Sequence, residues 1–245
     1  MPETAEHIVK SYENELIHLH DLVTGMGGMV ESQVALACTA ILQRDRAAAT
    51  RATESDVKVD AREQEIEQYV IRLLALRQPV AQDLRRIVAA LKSTGDLERI
   101  GDYAANVAKR SLVLEQFTMR YAATGLANMA RLVQENLKRI IDAIGAHDAE
   151  QAMQVWRSDE AIDEIYNALF RELITYMMED PRNITPCTHL LFIAKNLERI
   201  GDHATNIAET VYYAVTGTPL TEARPKGDTS VYAVIKPAGE SGRQE

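Results

Sequence analysis

The sequence predicts an all-α protein: two tandem three-helix bundles related by an internal repeat, with a disordered C-terminal tail. Three observations carry that prediction. The first is the repeat. Residues 96–108 read Asp96-Leu97-Glu98-Arg99-Ile100-Gly101-Asp102-Tyr103-Ala104-Ala105-Asn106-Val107-Ala108, and residues 196–208 read Asn196-Leu197-Glu198-Arg199-Ile200-Gly201-Asp202-His203-Ala204-Thr205-Asn206-Ile207-Ala208, identical at nine of thirteen positions. A repeat of this kind decides the architecture before any residue-level reading. The second is periodicity: apolar residues recur at threes and fours along most of the chain, the signature of one helix face. The third is composition. Hydrophobic residues make up 46% of the chain but include only three Phe and one Trp, so the core is aliphatic, and the β-branched and aromatic runs that mark strands are scarce.

The first helix is expected from Glu6 to about Ala49, with Ile8, Tyr12, Leu16, Leu19, Val23, Met26, Val30, Val34, Ala37 and Ile41 on one face. The run Gly25-Met26-Gly27-Gly28-Met29 has neither the spacing nor the preceding strand of a phosphate-binding loop and reads as a close-packing or bending point. Glu15-x-x-His18 has the spacing of a di-iron ligand pair but occurs once, where such bundles use two, so it reads as a surface pair. A second helix is expected from about Glu54 to Leu76 with Val59, Ile66, Val70 and Leu73 inward, ended by Pro79, which cannot donate a backbone bond. The third, from Ala81 or Gln82 to near Phe117, carries the first copy of the repeat. Helix four is expected over Met119–Ile144, helix five from Ala149 or Glu150 to Met178, and helix six, with the second copy, over Thr185–Val215. The domains are then 1–117, 118–216 and a flexible tail 217–245. A continuous six-helix solenoid is the alternative arrangement of the same helices.

Composition narrows the function. A net charge of −9 argues against nucleic acid as the main partner, since phosphate binding needs a basic face. Cys38 and Cys187 have no metal or redox spacing and suggest a reducing compartment. No N-terminal stretch has the order of a signal peptide, and no run approaches the eighteen or so apolar residues of a membrane span. The expected location is the cytoplasm, with any membrane role exercised by docking.

The candidate site lies in paired acids. Glu98 and Asp102 are four apart and so share a helix face, and Glu198 and Asp202 repeat them. Helices two and five add Asp56 with Asp60 and Asp159 with Asp163, at the edges of their inner apolar stripes. If the helices of one unit face each other, four carboxylates converge per bundle, and buried like charges need neutralising. Protonation, arginines such as Arg99 and Arg199, or a metal cluster could do so. The fourfold recurrence in equivalent places favours metal, and all-oxygen ligation suits magnesium, calcium, manganese or iron better than zinc. His203 follows Asp202, but its counterpart is Tyr103, so it is outside the repeated set. Arg77, Arg85 and Arg86 form either a docking patch or an ordinary solvated helix end.

Leu-Glu-Arg-Ile-Gly-Asp in each half, with Arg77-Gln78-Pro79-Val80-Ala81-Gln82-Asp83-Leu84-Arg85-Arg86 before the first copy, resembles the PhoU family of bacterial phosphate transport regulators from about Tyr12 to Val215. The resemblance implies two similar three-helix bundles. It also implies multinuclear metal clusters, of iron, manganese, magnesium or zinc, on Asp56, Asp60, Glu98 and Asp102 and on Asp159, Asp163, Glu198 and Asp202. The implied role is non-enzymatic: negative regulation of the phosphate-starvation response and of uptake, as an adaptor between the ATPase of the phosphate ABC transporter and a sensor histidine kinase at the inner face of the membrane. Homodimers are common in the family. A metal-dependent hydrolase is the rival reading, since acidic clusters can activate water, but no general base outside the ligands is evident.

Overall fold

A computed structural model describes residues 2–117, 123–222 and 224, with side chains from Ser11 onward apart from Ala123. The chain runs α1 (Pro2–Gln43), α2 (Arg46–Arg77), α3 (Ala81–Leu114), α4 (Ala123–Ala146), α5 (Ala149–Arg157), α6 (Asp159–Glu179), a 3-10 turn (Pro181–Asn183) and α7 (Ile184–Thr216), with no strand among the described residues. Helices α1, α2 and α3 pack on one another as the first bundle; α4, the α5–α6 pair and α7 form the second.

Helix boundaries differ from expectation at two places for identifiable reasons: the α1–α2 junction, where the second helix starts at Arg46 rather than about Glu54, and the expected fifth helix. The first helix does not reach Ala49. The chain turns at Arg44, whose φ is 55°, and Asp45 starts α2 by accepting the Ala48 N–H at 3.0 Å. An aspartate cap satisfies an otherwise unpaired helix-terminal donor, and Asp148 does the same for α5 through Glu150 and Gln151. The expected fifth helix is interrupted at Ser158, between α5 and α6. Its hydroxyl bonds back to the Val155 carbonyl at 2.8 Å and to Asn136 at 3.0 Å, local hydrogen bonding that competes with the helical ladder.

The bundles do not stand apart. Helices α3 and α7, the two carriers of the repeat, make the most extensive helix contact in the structure, and α1 also packs on α4. Buried residues of both halves, from Val23 and Met26 through Leu97 and Ile100 to Leu197 and Ile200, belong to one continuous core. Helix α1 holds an 18-residue window, within Ser11–Gln43, that is apolar and long enough to cross a membrane, against the expectation that no such run exists. That apolarity has a packing reason: Leu22, Val23, Met26, Val30, Val34 and Ala37 are all buried in this core.

The tail expected to be flexible falls mostly outside the described residues. Its first part is seated: Gly217, at φ 74°, caps α7 by donating to the Tyr213 carbonyl at 2.9 Å, and Leu220 packs on the core.

Glycine governs how closely the helices approach. A Cβ on Gly101 would lie 3.0 Å from Gln33 Oε1 and 3.3 Å from Val59 Cγ1; one on Gly201 would lie 3.0 Å from Ile162 Cδ1. Val59 and Ile162 each precede the second acid of their helix by one residue, so the same contact sets the same register in both bundles. Gly27 meets α4 comparably, 3.0 Å from Ile141 Cγ2, which makes the Gly25–Met29 run a packing point. Gly101→Val and Gly201→Val should each cost about 2 kcal/mol by overpacking. Gly28→Ala, which meets nothing within 4 Å, should gain roughly 0.5–1 kcal/mol from helix propensity. Chemical denaturation checks both signs, and a stabilising Gly101→Val would contradict the close-approach account.

Candidate metal centre

The eight predicted acids lie where the two close helix contacts place them, on α2 and α3 in one bundle and at the start of α6 and on α7 in the other. The two sets are not alike. In the first, Asp60 is exposed and Asp56, Glu98 and Asp102 are half-buried; in the second, Asp159, Asp163 and Glu198 are buried and Asp202 half-buried.

In the first set Asp60, Glu98 and Asp102 act on one another. Partial burial, and next the Asp102 charge, push the Glu98 carboxyl up to about 7 against the partial relief of Arg99, with Glu63 and Asp60 adding to the rise. Asp60 is raised by burial and by Asp56 and Asp102. Arg99 lies 3.5 Å from Glu98 and 3.6 Å from Asp102 and is largely exposed. Asp56 turns toward α1, where it accepts a 3.0 Å bond from Gln33 Nε2, which also bonds the Ala52 carbonyl. Glu63, one turn beyond Asp60, joins the patch and was not among the predicted residues.

The second set carries its own cations. Lys195 donates to Glu198 Oε1 at 2.8 Å, while Glu198 Oε2 is buried and accepts no hydrogen bond. Burial, opposed by Lys195 and helped by Asp202 and Asp163, raises Glu198 to about 7 as well. Both oxygens of Asp159 are engaged: Oδ1 accepts from Thr205 at 3.0 Å and Oδ2 from Arg224 Nε at 2.9 Å. Arg224 also donates to Asp202 Oδ1 at 2.6 Å, so one guanidinium bridges an acid of α6 to an acid of α7. Arg199 stands 4.0 Å from Glu198 and is half-exposed.

The donors in both sets are carboxylate oxygens, which suit a hard cation, and the mutual repulsion in the first set is what such a cation would relieve. In the conformation seen, no group of three His, Cys, Asp or Glu side chains among the described residues is arranged to hold a metal ion. Fit is therefore one of chemistry and charge in the first set, and in the second the place between Asp159 and Asp202 is taken by Arg224.

Other candidates resolve simply. Glu15 forms a two-pronged ion pair with Arg77 at 2.8 Å while His18 packs edge-on against Tyr69, so the Glu-x-x-His spacing is a surface feature. Arg77 is thereby engaged within the chain. His203 bonds Asp96 at 2.7 Å across the α3–α7 seam. Both cysteines are free and buried.

A family model described as the PhoU domain matches this chain twice, over residues 23–111 and 126–211. The chain belongs to the PhoU family. It is 54% identical over 224 residues to a phosphate-specific transport system accessory protein PhoU homolog of Caulobacter vibrioides, covering 91% of this chain and 97% of that one. A homolog of the same description from Rhizobium meliloti is 46% identical, over 91% and 94%. The crystal structure of PhoU from Pseudomonas aeruginosa superposes with a TM-score of 0.83 at 40% identity, covering 84% of this chain and all of that one. The phosphate transport system regulatory protein PhoU from Streptococcus pneumoniae gives 0.79 at 32% identity, over 86% of this chain and all of that one. The all-helical PhoU fold and its doubled domain agree with the repeat, and the two matched segments end within α3 and α7.

The raised carboxyls make stability depend on pH. An acid titrating near 7 when folded and near 4.5 when unfolded contributes stability that is complete below 4.5 and lost as pH rises through 7. In chelator, the melting temperature should fall between pH 5 and pH 8, and Glu98→Gln with Glu198→Gln should flatten that slope. A wild-type profile already flat over this window would show that the two acids are not shifted.

Proposed function

We propose that this protein is a non-catalytic regulator of phosphate uptake and of the phosphate-starvation response, working in the cytoplasm at the inner face of the membrane. Its helix faces dock on the ATPase of a phosphate ABC transporter and on a sensor histidine kinase, and it acts as a homodimer. The observation that carries this reading is the match, over nine-tenths of the chain, to relatives named as accessory proteins of the phosphate-specific transport system. The acid sets supply the physical device. Asp56, Asp60, Glu98 and Asp102 would hold a divalent or trivalent cation in the first bundle, and Asp159, Asp163, Glu198 and Asp202 in the second. When bound, the ion supplies the positive charge that lets α2 and α3, or α6 and α7, keep their acids adjacent. Glu63 adds charge at the edge of the first set, and Gln33 holds Asp56 in place from α1.

The hydrolase reading finds less support. A cavity of about 250 Å³ is walled by Leu16, Ile17, His20, Ile87, Ala90 and Val215, and another of about 220 Å³ by Glu15, Tyr69 and Leu73. None of the eight acids lines either, so neither offers a substrate chamber over the carboxylates.

In a bacterium whose own PhoU-family gene has been deleted, expression of this chain should restore repression of phosphate-starvation genes in phosphate-rich medium. Normal protein levels without repression would refute the regulatory reading. For the cation, elemental analysis of the purified protein should find bound metal that is lost in an Asp102→Ala, Asp202→Ala double variant. Wild type without metal, and a double variant that melts higher, would mark the acids as a repelling surface instead.

A further inference from the structure

Arg224 lies outside the repeat, outside both bundles and outside the two segments matched by the family model, yet its guanidinium makes four polar contacts at the second acid set. Its Nε donates to Asp159 Oδ2 at 2.9 Å, one terminal nitrogen to Asp202 Oδ1 at 2.6 Å and to the Asp202 carbonyl at 3.3 Å, and the other to Asn206 Oδ1 at 3.3 Å. Only 15% of its side chain is exposed, and Asp159 beneath it is 3% exposed. A planar fork with fixed charge is suited to bridging two carboxylates in this way. The segment that delivers it can reach. From Thr216 back to Asp202 is about 21 Å of helix, and the eight residues 217–224 span up to about 27 Å when extended. The turn at Gly217 and the packing of Leu220 start that return path. No described residue does the same for the first acid set, where Arg99 approaches from the surface at 3.5–3.6 Å.

We infer that Arg224 is a tethered counter-ion: it fills the second acid set with the chain's own charge, so that a cation enters there only by displacing the C-terminal segment, while the first set stays open. The inference rests on the reading of the acids as cation sites. It adds that the two sites differ in affinity and that only the second reports its occupancy to the tail. Glu198, whose carboxylate feels the charges of Asp202 and Asp163, keeps one buried oxygen without a hydrogen-bond donor, an acceptor the guanidinium leaves unused and an incoming cation would take. Because the coupling is reciprocal, any factor by which Arg224 weakens cation binding is the factor by which the cation loosens the segment.

The lone tryptophan makes the test selective. Trp156 precedes Asp159 by one turn and donates to Glu209 at 3.0 Å, one turn beyond Asn206, and the corresponding region of the first bundle has no tryptophan. Terbium, a hard oxygen-seeking ion, is sensitised by nearby phenol as well as indole rings, and Tyr103 adjoins Asp102; excited at the red edge where indole alone absorbs, its luminescence reads the second set, while equilibrium dialysis counts ions bound at both. With the full-length protein, Arg224→Ala should tighten the terbium titration seen through Trp156 by about tenfold or more, Arg224→Lys should fall between it and wild type, and the other dialysed ion should be unaffected. Amide exchange over 217–224 should rise when wild type is loaded with terbium. Superimposable wild-type and Arg224→Ala titrations, or exchange unchanged on loading, would overturn the competition while leaving the cation sites standing. No terbium at either set in any variant would overturn both. Since Arg224→Ala strands a buried carboxylate, its melting is compared in chelator with Asp159→Asn and the double variant: a double variant no worse than Asp159→Asn alone supports the pairing, and additive losses contradict it.

Discussion

Everything distinctive in this molecule follows from two close helix contacts. Gly101 admits Val59, and Gly201 admits Ile162, to distances at which even a methyl on the glycine would force the neighbour to give by a few tenths of an ångström. The fixed offset between each of these apolar residues and the acid that follows it brings α2 acids beside α3 acids and α6 acids beside α7 acids. Packing therefore dictates an electrostatic cost. Aliphatic burial around Leu97, Ile100, Leu197 and Ile200 holds the helices together where their carboxylates would drive them apart.

The two halves answer that cost differently. The first leaves its acids partly in water, where solvent screening does much of the work and Arg99 adds a loose ion pair. The second buries three of its four acids and brings in Lys195, Thr205 and Arg224 as partners, leaving one Glu198 oxygen without a donor. Burial and compensation go together, because an ionised carboxylate removed from water without partners would not remain ionised. Duplicated sequence thus does not mean duplicated chemistry: Thr205 stands where the first copy has Ala105, and its hydroxyl donates to Asp159.

Much of this was legible from residues alone. The repeat located α3 and α7 and their acids; the partner of the glycine in each copy, Val59 for Gly101 and Ile162 for Gly201, emerged only from the packing. Boundaries that depend on a single side chain were not legible. Asp45 capping α2 and Ser158 interrupting α5–α6 are local hydrogen-bond decisions that apolar periodicity does not register. Gln33 could have been found, because an amide in the apolar stripe between Val30 and Ala37 needs a buried partner, and Asp56 is that partner. Arg224 could not. It lies in a segment with no periodicity, and only the course of the chain after Gly217 brings it to Asp159.

That course also ties the second acid set to the first bundle. The amide of Asn206 accepts from Arg224 through Oδ1 and donates through Nδ2 to Asp96 at 3.4 Å; its orientation is set by the partners, since a guanidinium needs an acceptor and a carboxylate a donor. Asp96 in turn bonds His203 at 2.7 Å, whose ring lies 5.7 Å from that of Tyr103. Asp96 is one of the positions at which the repeat is broken, with Asn196 as its counterpart, and it precedes Glu98 of the first acid set by two residues. The departures from symmetry at 96, 103, 105, 196, 203 and 205 fall largely along the seam between α3 and α7 and the side of α7 that meets Arg224. Identity between the copies preserves the packing that creates each acid set, and divergence supplies the polar chain running from one set toward the other.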